Sequence, residues 1–356
     1  MSIDRAYGFQ LEAPGLPLVR TDLTDLEPDS DQVVVEVAGC GICHTDVAFA
    51  VDGVPTRHPL PLVLGHEIAG RVVRAGDSAA TWRDRSVIVP AVIPCGSCAA
   101  CRAQRPTICH RQFMPGNHGH GGFATHVRLP ARGLCPVPDR LPSPLSLAML
   151  SVIADAVTTP LEAVHRAGLS ESDVAVFVGV GGVGGFGVQL AAARGAAVVA
   201  IDPDGERLEL VGQYGAGLLL NPRLSEPREI RAATRSFIED MGRDRFALKI
   251  FETSGTPAGQ ELAFGLLEPG GYLAVVGYTP EKIQLRLSNL MAFDAIAQGN
   301  WGSSPERYPE ALDLVLSGKI ELGEFVETFP LDEAPTVFAA VAAHEIRRRA
   351  VLIPAA

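Results

Sequence analysis

Four cysteines lie within fifteen residues, in the run CGSCAACRAQRPTIC (95–109), spaced C-x2-C-x2-C-x7-C. Thiolates held that close together suit a soft metal ion, and four sulfurs complete a tetrahedral zinc with no position left open. An iron–sulfur cluster is the competing ligand set. The bacterial ferredoxin run, however, has a shorter last gap followed by proline, whereas Cys109 is followed by His110. Cys95, Cys98, Cys101 and Cys109 are therefore expected to hold a structural zinc that ties down a loop and binds no substrate.

A second, open metal site is spread along the chain. GCGICHTD (39–46) and GHEIAG (65–70) offer Cys43 and His66, a thiolate and an imidazole from separate segments. Catalytic zinc keeps three protein ligands and one exchangeable position, so a third ligand must come from farther along. Asp155, in ADAVTTP, is the expected one, with Glu67 and Cys135 as alternatives. Asp46 is placed to accept the other ring N–H of His66 and fix its tautomer. A Cys40–Cys43 redox pair ranks low, because such a motif needs its own βαβ context. Cys40 and Cys135 are expected to be small buried hydrophobes.

The third constellation is GVGGVG (179–184), in G-x-G-x-x-G spacing through Gly179, Gly181 and Gly184, with Gly182 and Val183 between. An apolar strand, VAVFV (174–178), precedes it, and a helix rich in small residues follows. The glycines allow a tight turn, close approach of backbone to a pyrophosphate, and tight packing of helix on strand. The helix start supplies free N–H groups to the phosphates. The next strand ends in Asp202, 18 residues past Gly184, near the offset of a carboxylate that bonds the adenosine ribose hydroxyls. Pro203, not an arginine, follows it, so NAD is expected rather than NADP.

These groups need a scaffold. The chain has 356 residues, 47% apolar and 20% charged, enough for about two globular domains. Residues 32–38 and 86–93 read as strands set among many Gly and Pro residues, which makes the first part β-rich. From residue 174 the pattern alternates: strands at 174–180, 196–202, 246–252 and 270–277, with helices at 184–195 and 205–216. Alternation of this kind implies a doubly wound parallel α/β sheet. Two further helices are expected at 309–317 and 333–344. The net charge of −11, from 41 acidic and 30 basic residues, argues against nucleic acid as partner. The basic run HEIRRRA, with Arg347, Arg348 and Arg349, is expected to be a solvated helix face. No run is long enough to span a membrane, and MSIDRAYGFQ has no basic cluster leading into an apolar stretch, so a cytoplasmic location is expected.

Taken together, CGICHTD, GHEIAG, the four-cysteine loop, GGFATH and GVGGVG with Asp202 resemble the zinc-dependent medium-chain alcohol dehydrogenases, in the right order and over nearly the whole chain. The resemblance implies a β-rich chaperonin-10-like catalytic domain (1–155 and 303–356) around a Rossmann domain (156–302). It implies NAD, two zinc ions per chain and a homo-oligomer, dimer or tetramer. Cys43 and His66 match catalytic zinc ligands, Thr45 the hydroxyl that touches the substrate alcohol, and Glu67 the carboxylate behind the metal. The backbone at Val276 and Gly277 is expected to hold the nicotinamide carboxamide. Asn300 and Trp301 are expected either to assist or to form a plain turn. There are two departures: Asp155 stands where cysteine is common, and Ala48 where many members have a histidine, which leaves His44 or solvent as the proton's way out. His118 and His120 are expected to be surface-loop residues rather than part of the substrate cleft. A non-catalytic zinc- and dinucleotide-binding regulator is the other class to weigh, but it has no use for an open metal position.

Longer segments, among them VAGCGICHTD, VIVPAVIPCG, MPGN, ADAVTTP and LSNLMAFDAIAQGNWG, resemble a branch of the family that oxidises a ring alcohol beside a conjugated coenzyme A thioester. That implies an acyl-CoA substrate, with Arg57, Arg111 and Arg286 as candidates for its phosphates. An open metal site beside such a thioester would also suit water addition to a dienoyl thioester.

Overall fold

The computed structural model describes residues 3–355. The chain divides into two compact units. The first comprises the chain up to Thr158, together with Gly302–Ser317 and Leu322 onward. The second comprises Thr159–Trp301 with Gly318–Glu321.

The first unit is built on β-structure. Its main path runs Val326–Pro330, Arg349–Ile353, Gln32–Gly41, Glu67–Ala75, Ser86–Val89, Cys135–Pro136, with His126–Pro130 also paired to Gln32–Gly41. Gln32–Gly41 is the hub. QVVVEVAGCG buries Val33, Val34 and Val35 completely, as expected of a β-branched run covered on both faces. Its register aligns Gly41 with Glu67 on one neighbour and with Val351 on the other. A smaller sheet, Val19–Asp22, Tyr7–Leu11 and Leu62–Val63, shares the same apolar core.

The second unit is a six-stranded, all-parallel sheet. Its order is Leu218–Leu220, Ala197–Ile201, Val174–Val178, Leu248–Glu252, Tyr272–Val275, Ile296–Gly299. Numbered along the chain this is 3-2-1-4-5-6, the doubly wound order whose reversal point lies beside the first strand. VAVFV and AVVAI are buried at every position, as strands covered by helices on both faces must be. The GroES-like and Rossmann architectures expected of the sequence are both present.

One sequence expectation changes, and two elements are added. HEIRRRA is not a helix face. The helix ends at Ala342, Arg347 and Arg348 lie in the following loop, and Arg349 opens a strand with its side chain buried. The amphipathic helix Pro227–Asp240 and the edge strand Ile296–Gly299 join the alternation, although neither stood out in the sequence. Among the described residues no helix is long and apolar enough to cross a membrane.

Candidate functional site

Cys43 lies two residues past the end of the hub strand and forms the N-cap of the short helix His44–Ala50. Glu67 starts the strand on one side of the hub, with His66 immediately before. Arg349 starts the strand on the other, two residues before the partner of Gly41. Sheet register alone therefore gathers residues 282 positions apart. Gly41 makes room: a Cβ there would lie 2.0 Å from Oε2 of Glu67. Asp155 enters from the turn Met149–Ala154, with an irregular backbone at φ −142°, ψ −57°.

The side chains of Cys43, His66, Glu67 and Asp155 offer ligand atoms that all lie within 4.8 Å of one another. Oδ2 of Asp155 stands 3.5 Å from Sγ of Cys43 and 3.6 Å from Nε2 of His66. A tetrahedral zinc with bonds of about 2.0–2.3 Å has edges of about 3.3–3.6 Å between S, N and O ligands. The donor set and its spacing therefore fit zinc. Thr45 Oγ1 lies 3.7 Å from the Cys43 sulfur.

Asp46, fully buried, braces both ligand segments. It accepts the backbone N–H of Cys43 (3.0 Å) and of Gly65 (3.1 Å), and its Oδ1 is 3.3 Å from Nδ1 of His66. Glu67 takes Arg349 with both oxygens, Nε at 2.9 Å on one and Nη2 on the other. The same Nη2 stands 3.7 Å from Asp155. Burial disfavours charge on His66, yet Asp46, Asp155 and Cys43 outweigh it and hold the ring's pKa well above its usual value. Burial raises the Glu67 carboxyl, and the guanidinium pulls it partly back.

Cys95, Cys98, Cys101 and Cys109 form a second cluster. Their sulfurs are unbridged, with Cys98 at 3.5 Å from Cys101 and 3.7 Å from Cys109, close to the roughly 3.8 Å edge of a four-sulfur zinc tetrahedron. Backbone N–H groups point at the sulfurs: Ser97 at Cys95, and Cys95 and Arg111 at Cys109. The first of these, with the Ser97 hydroxyl, draws the Cys95 pKa down to about 5. Burial and the neighbouring sulfurs push Cys101 up to about 11.

In the second unit each glycine of the turn has a distinct reason. Gly179 has φ +89°. Gly181 would direct a Cβ into space bounded only by the Arg207 guanidinium, 3.5 Å away, which is the room a pyrophosphate needs. Gly184 would place its Cβ 1.9 Å from the carbonyl of Gly179. Gly182 and Val183 complete the turn, and Val183 is the N-cap of the helix Gly184–Ala193. Asp202 is buried at the end of the neighbouring strand and accepts the N–H of Val180 and of Asp204, both at 2.8 Å. Across the reversal point, the carbonyl of Glu252 accepts the N–H groups of both Val276 and Gly277 at 2.9 Å. Those N–H groups are thus committed, and only the carbonyl side of this segment can serve a ligand. Asn300 donates its side-chain amide to the carbonyl of Thr159, and Trp301 is partly exposed.

Other candidates fall elsewhere. Cys40 is fully buried, and burial raises its pKa well above that of a free thiol. Cys135 is buried on a strand and pushed up to about 11 by burial and Asp313; neither joins a ligand cluster among the described residues. Ala48 is buried. His44 is exposed and stacks on His344, ring centroids 5.1 Å apart. His118 and His120 accept backbone N–H groups of Met114 and Val63. Arg57, Arg111 and Arg286 are exposed, the first two in the first unit and the third in the second. Arg349 and Arg207 did not stand out in the sequence as site residues. Only Arg207, five residues past Asp202, had a local signal.

A buried Cys-His-Asp cluster on a β-rich unit and a glycine turn in a doubly wound sheet together define a metal- and dinucleotide-binding oxidoreductase. Residues 29–139 match the alcohol dehydrogenase GroES-like domain family, and residues 182–317 the zinc-binding dehydrogenase family. An alcohol dehydrogenase of Geobacillus stearothermophilus is 30% identical over 323 residues, covering 90% of this chain and 91% of that one. An L-threonine 3-dehydrogenase of Thermococcus kodakarensis is 28% identical, covering 88% and 87%. The solved alcohol dehydrogenase of the archaeon Aeropyrum pernix superposes with a TM-score of 0.86 at 28% identity, covering 98% of this chain and 100% of that one. The chain belongs to the zinc-type medium-chain alcohol dehydrogenase family. It is a zinc-type dehydrogenase, with a cysteine cluster and a Cys43–His66–Asp155 cluster that fit two zinc ions and a glycine turn that fits a dinucleotide.

Proposed function

We propose that this enzyme oxidises a secondary ring alcohol carried on a coenzyme A thioester, 6-hydroxycyclohex-1-ene-1-carbonyl-CoA, to its 6-oxo product during breakdown of aromatic acids in the cytosol. The observation that carries the dehydrogenase chemistry is the convergence of Cys43, His66 and Asp155 at the edge spacing of a zinc tetrahedron. The choice of ring alcohol is supported by the long segments, ADAVTTP and LSNLMAFDAIAQGNWG among them, that resemble that branch.

Zinc supplies a Lewis acid that lowers the pKa of a substrate hydroxyl, and NAD supplies the acceptor carbon for hydride. The chain does the rest. Cys43, His66 and Asp155 hold the ion, while Glu67 is committed to Arg349 and sets the charge behind them. Asp46, 3.3 Å from Nδ1 of His66, stands where a carboxylate commonly orients a ligating imidazole. Thr45, beside the Cys43 sulfur, would relay the hydroxyl proton, taking it up as its own hydroxyl proton passes on. With Ala48 offering no ring, the proton passes to solvent near the exposed His44–His344 pair. In the second unit the helix start at Gly184 receives the pyrophosphate, and Asp202 receives the adenosine ribose and repels a 2′-phosphate, which favours NAD. The carbonyl side of Val276 and Gly277 holds the carboxamide. The edge strand Ile296–Gly299, with Leu287, Met291 and Ile296 exposed, supports pairing with a second copy of the chain.

The name of the Geobacillus relative favours a second reading, in which the substrate is a small free alcohol. A steady-state NAD reduction assay with the ring hydroxyacyl-CoA against a panel of free primary, aryl and cyclic alcohols separates the two. The proposal expects kcat/KM for the thioester to exceed that for any free alcohol. The reverse order overturns the substrate assignment and leaves the dehydrogenase chemistry standing.

A further inference from the structure

Asp155 is the ligand with the least regular support. Cys43 caps a helix and His66 abuts a strand, but Asp155 sits past the end of a 3-10 turn in a conformation that is neither helix nor strand. Its direction depends on how the Ala154–Asp155 peptide is held. Two hydroxyls converge on the carbonyl of Ala154. One is Thr158 Oγ1, four residues on, at 3.1 Å. The other is the phenol of Tyr308, 154 residues away in sequence.

Among the described residues Tyr308 is the largest completely buried side chain, and it opens the helix Tyr308–Leu316. Its hydroxyl also accepts the backbone N–H of Ala91 at 3.0 Å. Ala91 lies two residues past the strand Ser86–Val89, which pairs with the strand begun by Glu67. The phenol is therefore a two-way bridge. It ties the peptide that carries Asp155 to the sheet that carries His66. A phenylalanine would fill the same volume and break both hydrogen bonds, leaving one buried N–H without a partner.

We propose that Tyr308 is a positioning residue for the metal: through the Ala154 carbonyl it aims the Asp155 carboxylate at the ion held by Cys43 and His66. This rests on the ligand set given under Proposed function. Outer partners of metal ligands are commonly worth about 10–100-fold in metal affinity. The four-cysteine cluster of the same chain serves as an internal reference.

The test is zinc competition with a chromophoric chelator on the purified full-length protein, resolving the two zinc equivalents, for wild type, Tyr308→Phe, Asp155→Ala and the double variant. A Thr158→Val variant probes the second hydroxyl on the same carbonyl. Tyr308→Phe is expected to weaken one zinc equivalent by about 10–100-fold and leave the four-cysteine equivalent unchanged. In the Asp155→Ala background the same change is expected to cost nothing further, because its effect runs through that carboxylate. A loss that remains in that background, or falls equally on both equivalents, marks a general packing role and overturns the proposal. So does unchanged affinity in Tyr308→Phe. If Tyr308→Phe does not fold, Thr158→Val carries the same comparison. If Asp155→Ala itself leaves both equivalents intact, the ligand set fails and the Tyr308 proposal with it. If Asp155→Ala loosens one equivalent and Tyr308→Phe does not, the Tyr308 proposal alone falls.

Discussion

Replacing Arg349 with methionine removes a guanidinium paired within a buried group of acids. Glu67 is fully buried, with both oxygens on Arg349, and Asp155 is 3.7 Å from the same guanidinium. Cutting one partner out of a buried ion pair costs about 3–5 kcal/mol, because the other charge stays uncompensated. At roughly 2–4 °C per kcal/mol for a unit of this size, the Arg349→Met protein should melt about 10 °C below wild type near pH 8. Two further features follow from the charges. A bound divalent cation offsets the same acids, so the loss should be larger after chelation than in the zinc-loaded protein. Without Arg349, burial leaves the Glu67 pKa raised further. A group whose folded-state pKa is raised contributes stability at low pH and loses it as pH rises through that pKa, so the deficit should shrink as the pH falls. The double variant Glu67→Gln/Arg349→Met, which removes both charges, should recover at least half the loss. Calorimetric melts with and without zinc at two pH values test this. A single variant melting within about 2 °C of wild type near pH 8, or a double variant no better than the single, refutes the reasoning.

Two other outcomes are expected. Asp202→Gly should lower kcat/KM for NAD by about 10–100-fold, the cost of lost charge-assisted hydrogen bonds, while NADP loses less because the repulsion goes and Arg207 remains beside the turn; equal losses for both cofactors would contradict the role of Asp202. Zinc uptake at the Cys43–His66–Asp155 cluster should strengthen as pH rises through neutrality, by roughly tenfold per unit for each displaced proton, because the neighbouring acids hold the metal-free His66 protonated above its ordinary range; calorimetric titration showing a flat affinity between about pH 6 and 8 would contradict it.

What was legible in the sequence was chemistry written locally. The glycine turn announces itself because strand, turn and helix are contiguous, and the four cysteines because they share fifteen residues. The alternation after residue 174 was enough for the doubly wound sheet, whereas the pattern made the first part only β-rich and its chaperonin-10-like form came from the family resemblance. Arg349 was misread because its neighbours Arg347 and Arg348 do face solvent and only sheet register turns the third inward, to a partner 282 residues away. Tyr308 carried no signal, since a tyrosine opening an amphipathic helix is ordinary until its hydroxyl is seen to join two distant backbones. The carboxamide segment was placed by strand position, but the commitment of its N–H groups to Glu252 depends on two strands being neighbours. The helix Pro227–Asp240 could have been found: Ile230, Thr234 and Ile238 repeat every four residues along its buried face.

The central claim is that one ion is held by Cys43, His66 and Asp155, apart from the ion in the four-cysteine loop. Anomalous diffraction at the zinc edge from crystals of catalytically active protein tests it most directly. Two peaks per chain are expected, one among the four cysteines and one between the Cys43 sulfur, His66 Nε2 and the Asp155 carboxylate. Active protein with a single peak, confined to the cysteine loop, would contradict it.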